Sequence, residues 1–450
     1  MIHGITQFKK LTKIKELRKR VIVSILVLAV VAESSGALVA WAADNEPAYE
    51  VWIIDQSNTT VDGGGTLYIY QGDTLAGKDA ATAVPEVIDL GGTARDLCLE
   101  QTGTAPKRPH MLDFNAGQSH AIISFAATGH VLFMDTDTRT PISCIDAGEE
   151  AHAAISSPDQ TYVVVTNHDH LERINTDYAN NAFTLDTSAM LNLGEDCITP
   201  NGSPCMDPGL RPNNVLICSV VDSTSRFTFA TLRGGGMFVV NSAATPMAIV
   251  AEYDKNTIHP NGCGAVETAG KIYVNSGGGT AVNPLESDLY VFKLSDFSSS
   301  PNPPNTPAPG LIFSHDAQGF VDSHGMVLTK KDRFLWVGDR AANRMIVVDT
   351  VDDVVISEFS LVSAMSSDPA PDLMDISPSG NRVFVSLRGP NPLTGNAPSV
   401  NNAVGNTPGL GVIRLKQNGK MGVMQSIAAI THIVDGVERA DPHAVRVRLK

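Results

Sequence analysis

Short apolar runs of five to seven residues recur along this chain, and each is cut off by Gly, Pro, Asn, Asp or Ser. Tyr49–Gln56 and Thr66–Gln71 are the first pair, split by Asp62-Gly63-Gly64-Gly65. After a polar connection at Asp73–Lys107 the pairs become regular. Aligned on the apolar second run, the units open at Pro109-His110-Met111, Ala151-His152-Ala153, Pro212-Asn213-Asn214, Asn261-Gly262-Cys263, Asp322-Ser323-His324 and Pro371-Asp372-Leu373. Their second runs are His120–Phe125, Tyr162–Thr166, Phe227–Leu232, Lys271–Asn275, Phe334–Val337 and Arg382–Leu387. Runs this short, rich in β-branched and aromatic residues and bounded by turn formers, read as β-strands. Repetition at a spacing of some tens of residues reads as a propeller.

The ends of the chain complete the pattern. Asp441-Pro442-His443-Ala444-Val445-Arg446-Val447 is an inner strand with nothing after it. The first strands lack an inner partner. Pairing the two predicts an all-β, seven-bladed β-propeller closed by its N- and C-terminal strands, which also hides the sheet edges. Asp177–Leu210, Ser295–Gly310 and Gly389–Pro408 read as loop insertions, and Ser298–Pro309 as a low-complexity stretch.

The N-terminus changes the picture of where the protein works. Seven basic residues between Lys9 and Arg20 precede the apolar run Val21–Ala32, and Ala40-Trp41-Ala42 offers a small-x-small cleavage site. Residues 1–42 are therefore expected to be an export signal, with 43–450 as one propeller domain in the periplasm or outside the cell and no stable membrane span after cleavage. Glu33 interrupts the apolar run, against a permanent anchor. Removing the signal moves the formal charge from −15 to −20, 26 basic against 46 acidic side chains. Such a body repels nucleic acid and anionic membrane. The six cysteines, Cys98, Cys144, Cys197, Cys205, Cys218 and Cys263, suit disulfides in an exported chain. Cys197–Cys205 is the expected pair. Cys218 and Cys263 read as a disulfide or buried thiols. There is no Cys-x-x-Cys-His haem signature.

Candidate chemistry comes from two registers. The residues opening the inner strands are His110, His152, Asn213, Asn261, His324, Asp372 and His443. In a propeller these line the channel at one depth, and neutral imidazole with carboxylate binds divalent first-row metals. The second register, just after the second strand, holds His168, Arg233, Arg340 and Arg388, with His170 close by; His130, His259 and His315 are expected on the same face. Guanidinium groups there could hold a small anion. We take His110, His152, His168, His170, His324 and His443 as candidate metal ligands, and Arg233, Arg340, Arg388 and Asp372 as candidate catalytic residues. Plainer readings stand beside these. The imidazoles could tie turns to neighbouring blades, the arginines could pair with Asp339 or Asp349, and His168-Asp169-His170 could be a solvated loop.

Pro-His at a unit opening, Ser156-Ser157-Pro158-Asp159, Ser377-Pro378-Ser379-Gly380 and Val347-Val348-Asp349-Thr350 resemble the seven-bladed propellers with YVTN-type repeats. That likeness spans about Glu50 to the C-terminus and implies fold rather than activity. Asp322-Ser323-His324-Gly325, Asp339-Arg340-Ala341-Ala342-Asn343-Arg344 and Asp441-Pro442-His443 are similar to the copper propeller enzymes, thiocyanate dehydrogenase and the N-terminal domain of nitrous oxide reductase. The second family also carries a cupredoxin domain with paired Cys ligands, so the first is the nearer likeness. It implies copper ions, a small inorganic anion as substrate and a soluble electron acceptor. Two other functions stay open: a non-catalytic binding scaffold and a lactonase-like hydrolase.

Overall fold

The computed structural model describes residues 46–57, 63–77, 79–194, 196–278, 286–301, 305–316, 321–393 and 403–450. The expected export signal, residues 1–42, and residues 302–304 and 394–402 of the insertions lie outside them.

Seven antiparallel sheets follow one another around the ring. Blades I to VI have inner strands Pro109–Phe114, Ala151–Ser156, Leu216–Val221, Ala265–Thr268, Ser323–Thr329 and Pro371–Ile376. The seventh blade is made from both termini: Pro442–Leu449 is its inner strand, followed outward by Tyr49–Asp55, Thr66–Gln71 and Glu86–Asp89. Val51 pairs with Val447 and Ile53 with Val445, so the closure expected from the sequence is the one found.

Each sheet packs on both faces against its neighbours, so middle strands need no polar face. Tyr162–Asn167, Phe227–Leu232, Phe334–Asp339 and Arg382–Leu387 are buried along their whole length. Their near-continuous Val, Ile, Leu and Phe content follows from burial on both sides. Between blades VII and I, Trp52, Ile54 and Leu67 interlock with Leu112, Ile123 and Leu132. The inner hairpins share one turn chemistry. A polar side chain before the turn accepts from the first amide of the second strand: Asn115 from His120, Ser157 from Tyr162, Ser377 from Arg382. This is the physical content of the Ser-Pro-Asp and Ser-Pro-Ser-Gly repeats.

Three expectations are corrected. Asp73–Lys107 is not a plain connection. It supplies the outer strand Glu86–Asp89 and an α-helix, Thr93–Thr102. That helix buries only Ala94 and Cys98 and is pinned by the Cys98–Cys144 disulfide, so it carries little amphipathic signal. Asp177–Leu210 is not only loop, since Ala182–Leu185 forms the outer strand of blade II. Blade III does not open at Asn213, because its inner strand begins at Leu216. The expected Cys197–Cys205 bond is present, and Cys218–Cys263 is also a disulfide.

Closure rests on one strand, so truncation before Pro442 should remove it. The expected outcome is loss of a cooperative thermal transition by circular dichroism. A truncated chain that still melts cooperatively near the parent temperature would contradict this.

Candidate functional site: a histidine–carboxylate ring in the channel

The inner strands carry a β-bulge where they approach the axis. In blade I, Pro109 pairs with Phe125 and Leu112 with Ile123, leaving His110 and Met111 opposite Ser124. The same slip leaves Ile217 and Cys218 opposite Thr231, His324 and Gly325 opposite Gly338, and Asp372 and Leu373 opposite Ser386. It also leaves His152 extra in blade II, and His443 and Ala444 opposite Ile54. A bulge re-aims a side chain. Here it gathers the extra residue of six blades at one level; blade IV pairs without a slip.

The ring is therefore His110, His152, Ile217, Cys263, His324, Asp372 and His443, with Cys263 placed by its position just before the Gly264–Asn275 pair. Asn213 and Asn261 are not members. Asn213 lies in the loop before Leu216, and Asn261 lies two residues short of Cys263. Small residues let the blades crowd together. A Cβ on Gly325 would stand 2.2 Å from the Asp372 carbonyl oxygen, and one on Gly264 2.4 Å from that of His324.

Five of the predicted residues meet. The His110 ring stacks on His443 at 3.9 Å between centroids and meets His152 edge-on at 4.2 Å. His324 lies 5.6 Å from His443. One ligand atom from each of His324, Asp372 and His443 falls within 4.8 Å of the others. All five side chains are buried. His110 Nδ1 bonds Gln56 Oε1 at 3.0 Å, and His443 Nδ1 donates to the His110 carbonyl at 2.9 Å, which leaves Nε2 of both rings without a partner. Asp372 Oδ1 and His324 Nδ1 approach to 2.5 Å but are not aligned as a hydrogen bond.

Arg340 and Arg388 take a different place from the one expected. Both are buried and spoken for by carboxylates. Arg340 meets Asp322 at 2.6 Å and Asp372 Oδ2 at 3.2 Å; Arg388 meets Asp372 Oδ2 at 2.5 Å and Asp441 at 2.6 Å. The result is a buried chain of alternating charge, Asp322–Arg340–Asp372–Arg388–Asp441. Its partners are not Asp339 and Asp349. The two guanidiniums occupy Oδ2 of Asp372 and leave Oδ1 turned to the imidazoles. Arg233 stands apart, with its side chain 42% exposed and paired to Glu150 at 3.1 Å. His168 and His170 do not join the ring either. Both face Asp169, at 3.4 and 2.7 Å, on partly exposed turns. His130 is held by Thr102 and Thr104, and His259 by Asp288 at 2.7 Å.

Burial, with the neighbouring imidazoles and arginines, drives His110, His152 and His443 well below 6.5, and His324 below it. Burial alone would raise Asp372. Its interactions with His324, Arg340, His443 and Arg388 outweigh it and hold the carboxyl well below 3.8. The ring thus offers neutral imidazole nitrogens and one anionic oxygen. That is the protonation state in which these groups bind a metal. Directly beneath lies a cavity of about 420 Å3, walled by Met111, Cys218, Cys263, Met326, Leu373 and Ala444, with Asp113 and Arg446 farther along.

What sequence reading missed was a signal on the second strand. A polar residue there reaches into the next blade and holds the ring residue's carbonyl. Ser124 donates to His152 at 3.3 Å, Thr166 to Ile217 at 3.1 Å, Asn275 to His324 at 2.9 Å and Ser386 to His443. Ser, Thr or Asn inside an otherwise apolar strand would have located the ring in blade III.

No sequence-family profile and no curated protein matches the chain. Solved structures do match. A hypothetical selenium-binding protein from Sulfolobus tokodaii is similar at a TM-score of 0.60 and 10% identity, over 90% of this chain and 95% of that one. The periplasmic gluconolactonase PpgL of Pseudomonas aeruginosa is similar at 0.54 and 14% identity, over 89% and 99%. At such identities these likenesses establish the fold: the protein is a seven-bladed β-propeller.

Two outcomes follow from the charge pattern. Arg388→Met strips buried Asp441 of its arginine, leaves Asp372 with Arg340 alone, and should cost about 3–5 kcal/mol in urea unfolding. Arg233→Met, at an exposed pair, should cost less than about 1 kcal/mol. Equal losses would refute the buried chain. In metal-free protein the ring imidazoles stay neutral when folded, whereas unfolded histidines take protons near 6.5. The unfolded state then binds more protons, so stability should fall as pH drops below about 6.5, by up to about 1.4 kcal/mol per pH unit for each imidazole. A urea midpoint unchanged between about pH 7.5 and 5.5 would rule that out.

Proposed function

We propose that this protein is an exported, metal-dependent enzyme whose ion is held in the propeller channel, and that it opens small cyclic esters. One observation carries the metal: one ligand atom each from the buried His324, Asp372 and His443 lies within 4.8 Å of the others, and His443 Nε2 and Asp372 Oδ1 make no hydrogen bond, nor does Nε2 of His110, which stacks on His443. Unsatisfied buried polar groups are costly, and a cation would satisfy all of them together. His110, His324, His443 and Asp372 would be the ligands, with Arg340 and Arg388 fixing the carboxylate. A divalent ion there would supply a Lewis acid that polarises a carbonyl and acidifies water.

The remaining steps fall to the chain. The cavity admits a small molecule between Met111, Met326 and Leu373 and sheds its water. His152 flanks the ligands. Its Nδ1 faces Cys218 Sγ at 3.9 Å, and burial keeps the ring neutral, so it can accept a proton from attacking water. Water adds at the ester carbon, the ring C–O bond breaks, and the proton passes to the departing alkoxide. A neutral ester suits this channel, because Arg340 and Arg388 are already committed to carboxylates. The likeness to a gluconolactonase supports the same reaction. Export is supported by the three disulfides, which use all six cysteines and belong to an oxidising compartment.

Copper-dependent oxidation of a small anion, with a soluble electron acceptor, is the second reading. It is favoured by imidazoles at 3.9 and 4.2 Å, which could serve more than one copper ion. A paired assay separates the two. Protein purified without chelator should hold about one divalent ion per chain, and Asp372→Ala and His443→Ala should lose it. In a pH-stat, δ-gluconolactone should release acid faster with the parent protein than with either variant. Thiocyanate oxidation with an artificial acceptor, in the absence of lactone turnover, would replace the hydrolytic reading by the copper one. A chain that binds no metal and turns over neither substrate would be the non-catalytic scaffold.

A further inference from the structure

Six of the seven ring positions carry a residue able to donate to a metal, but not on equal terms. From blade V round to blade II they are His324, Asp372, His443, His110 and His152. On the remaining arc, blade III offers Ile217 with Cys218 beside it, and blade IV offers Cys263. The two sulfurs are joined, so neither can act as a thiolate. His152 closes the arc, with Nδ1 facing Cys218 Sγ at 3.9 Å. One ligand atom from each of His152, Cys218 and Cys263 lies within 4.8 Å of the others.

This bond is placed differently from the other two. Cys98 and Cys144 are sealed under the helix, at 0% and 2% exposure. Cys197 and Cys205 close a loop of the blade II insertion. Cys218 and Cys263 wall the 420 Å3 cavity, so a small molecule in the channel meets them.

We infer that reduction of the Cys218–Cys263 disulfide opens a second metal site in the ring, a Cys2His set made with His152 and selective for soft ions such as zinc, cadmium or cuprous copper. A small dithiol in the channel delivers two electrons and two protons to the sulfurs and closes to its own disulfide. Binding of a divalent ion then displaces the two thiol protons. Three protein donors leave a fourth coordination position, which faces the cavity. Sulfur donors separate this site from the oxygen-and-nitrogen arc opposite. The site does not depend on whether that arc holds an ion.

Cobalt(II) is the probe, because only thiolate ligation gives an intense near-ultraviolet charge-transfer band. The full chain is treated with dithiothreitol, desalted without oxygen and titrated with cobalt(II). The band should saturate at about one equivalent, with about two protons released per ion. It should be absent from the oxidised protein and from Cys218→Ser/Cys263→Ser. His152→Ala should weaken binding at least about tenfold. After mild reduction, iodoacetamide should label Cys218 and Cys263 before Cys98 and Cys144, which are sealed under the helix. The proposal fails if the band appears in the oxidised protein or in the double serine variant, or if His152→Ala binds as tightly as the parent. It fails equally if Cys98 and Cys144 are labelled before Cys218 and Cys263, or if reduction alone abolishes the β-sheet circular dichroism.

Discussion

Everything at the centre of this protein depends on one extra residue in the innermost strand. Seven sheets converging on an axis leave little room, and a regular strand would alternate side chains into the neighbouring blades. In six of the seven blades the bulge breaks that alternation once and turns a side chain along the channel wall. A bulge also frees a carbonyl from the ladder. The second strand of the preceding blade supplies the missing donor, as with Ser124 and His152, Thr166 and Ile217, and Asn275 and His324. At four of the seven junctions one hydrogen bond of this kind therefore fixes both the approach of the blades and the height of the ring.

The parts of this that could be read from the sequence follow from it. His110, His152, His324, Asp372 and His443 were legible because the strongly apolar second strands gave a reliable origin from which to count back. Counting failed in blades III and IV. There the apolar content of the inner strand starts late, after Pro212-Asn213-Asn214 and Asn261-Gly262, and Asn imitated a polar ring residue. The arginines were found, and pairing with aspartate was one reading of them, but the particular partners were not. Their partners Asp322 and Asp441 stand two residues before the ring positions His324 and His443, and that relation has no meaning until the turns are folded. The helix was invisible for a different cause: its hold on blade I is a disulfide, and a bond between distant cysteines leaves no periodicity behind.

The buried charge chain constrains what the ring can do. Desolvating two aspartate–arginine pairs is expensive, and well-packed apolar residues would commonly serve stability as well. What apolar residues could not do is hold one carboxylate oxygen and present the other. Arg340 and Arg388 both reach Oδ2 of Asp372, so the carboxylate keeps its charge and its orientation while Oδ1 stays open toward His324 and His443. The same commitment removes these cations from substrate binding. An anion entering the channel would have to compete with buried carboxylates for guanidiniums that each bridge two aspartates, whereas a neutral ester displaces nothing.

The two arcs of the ring meet the same geometric demand by different chemistry. Where imidazoles face one another, adjacent blades are held through nitrogen contacts that leave lone pairs available. Where Ile217 and Cys263 take the ring positions, the Cys218–Cys263 bond ties blade III to blade IV covalently and withdraws both sulfurs from coordination. His152 stands at the seam, stacked edge-on against His110 on one side and facing Cys218 on the other. A change of redox state at the seam would give this imidazole a competing partner, so the environment that sets the disulfide also sets which half of the ring His152 serves.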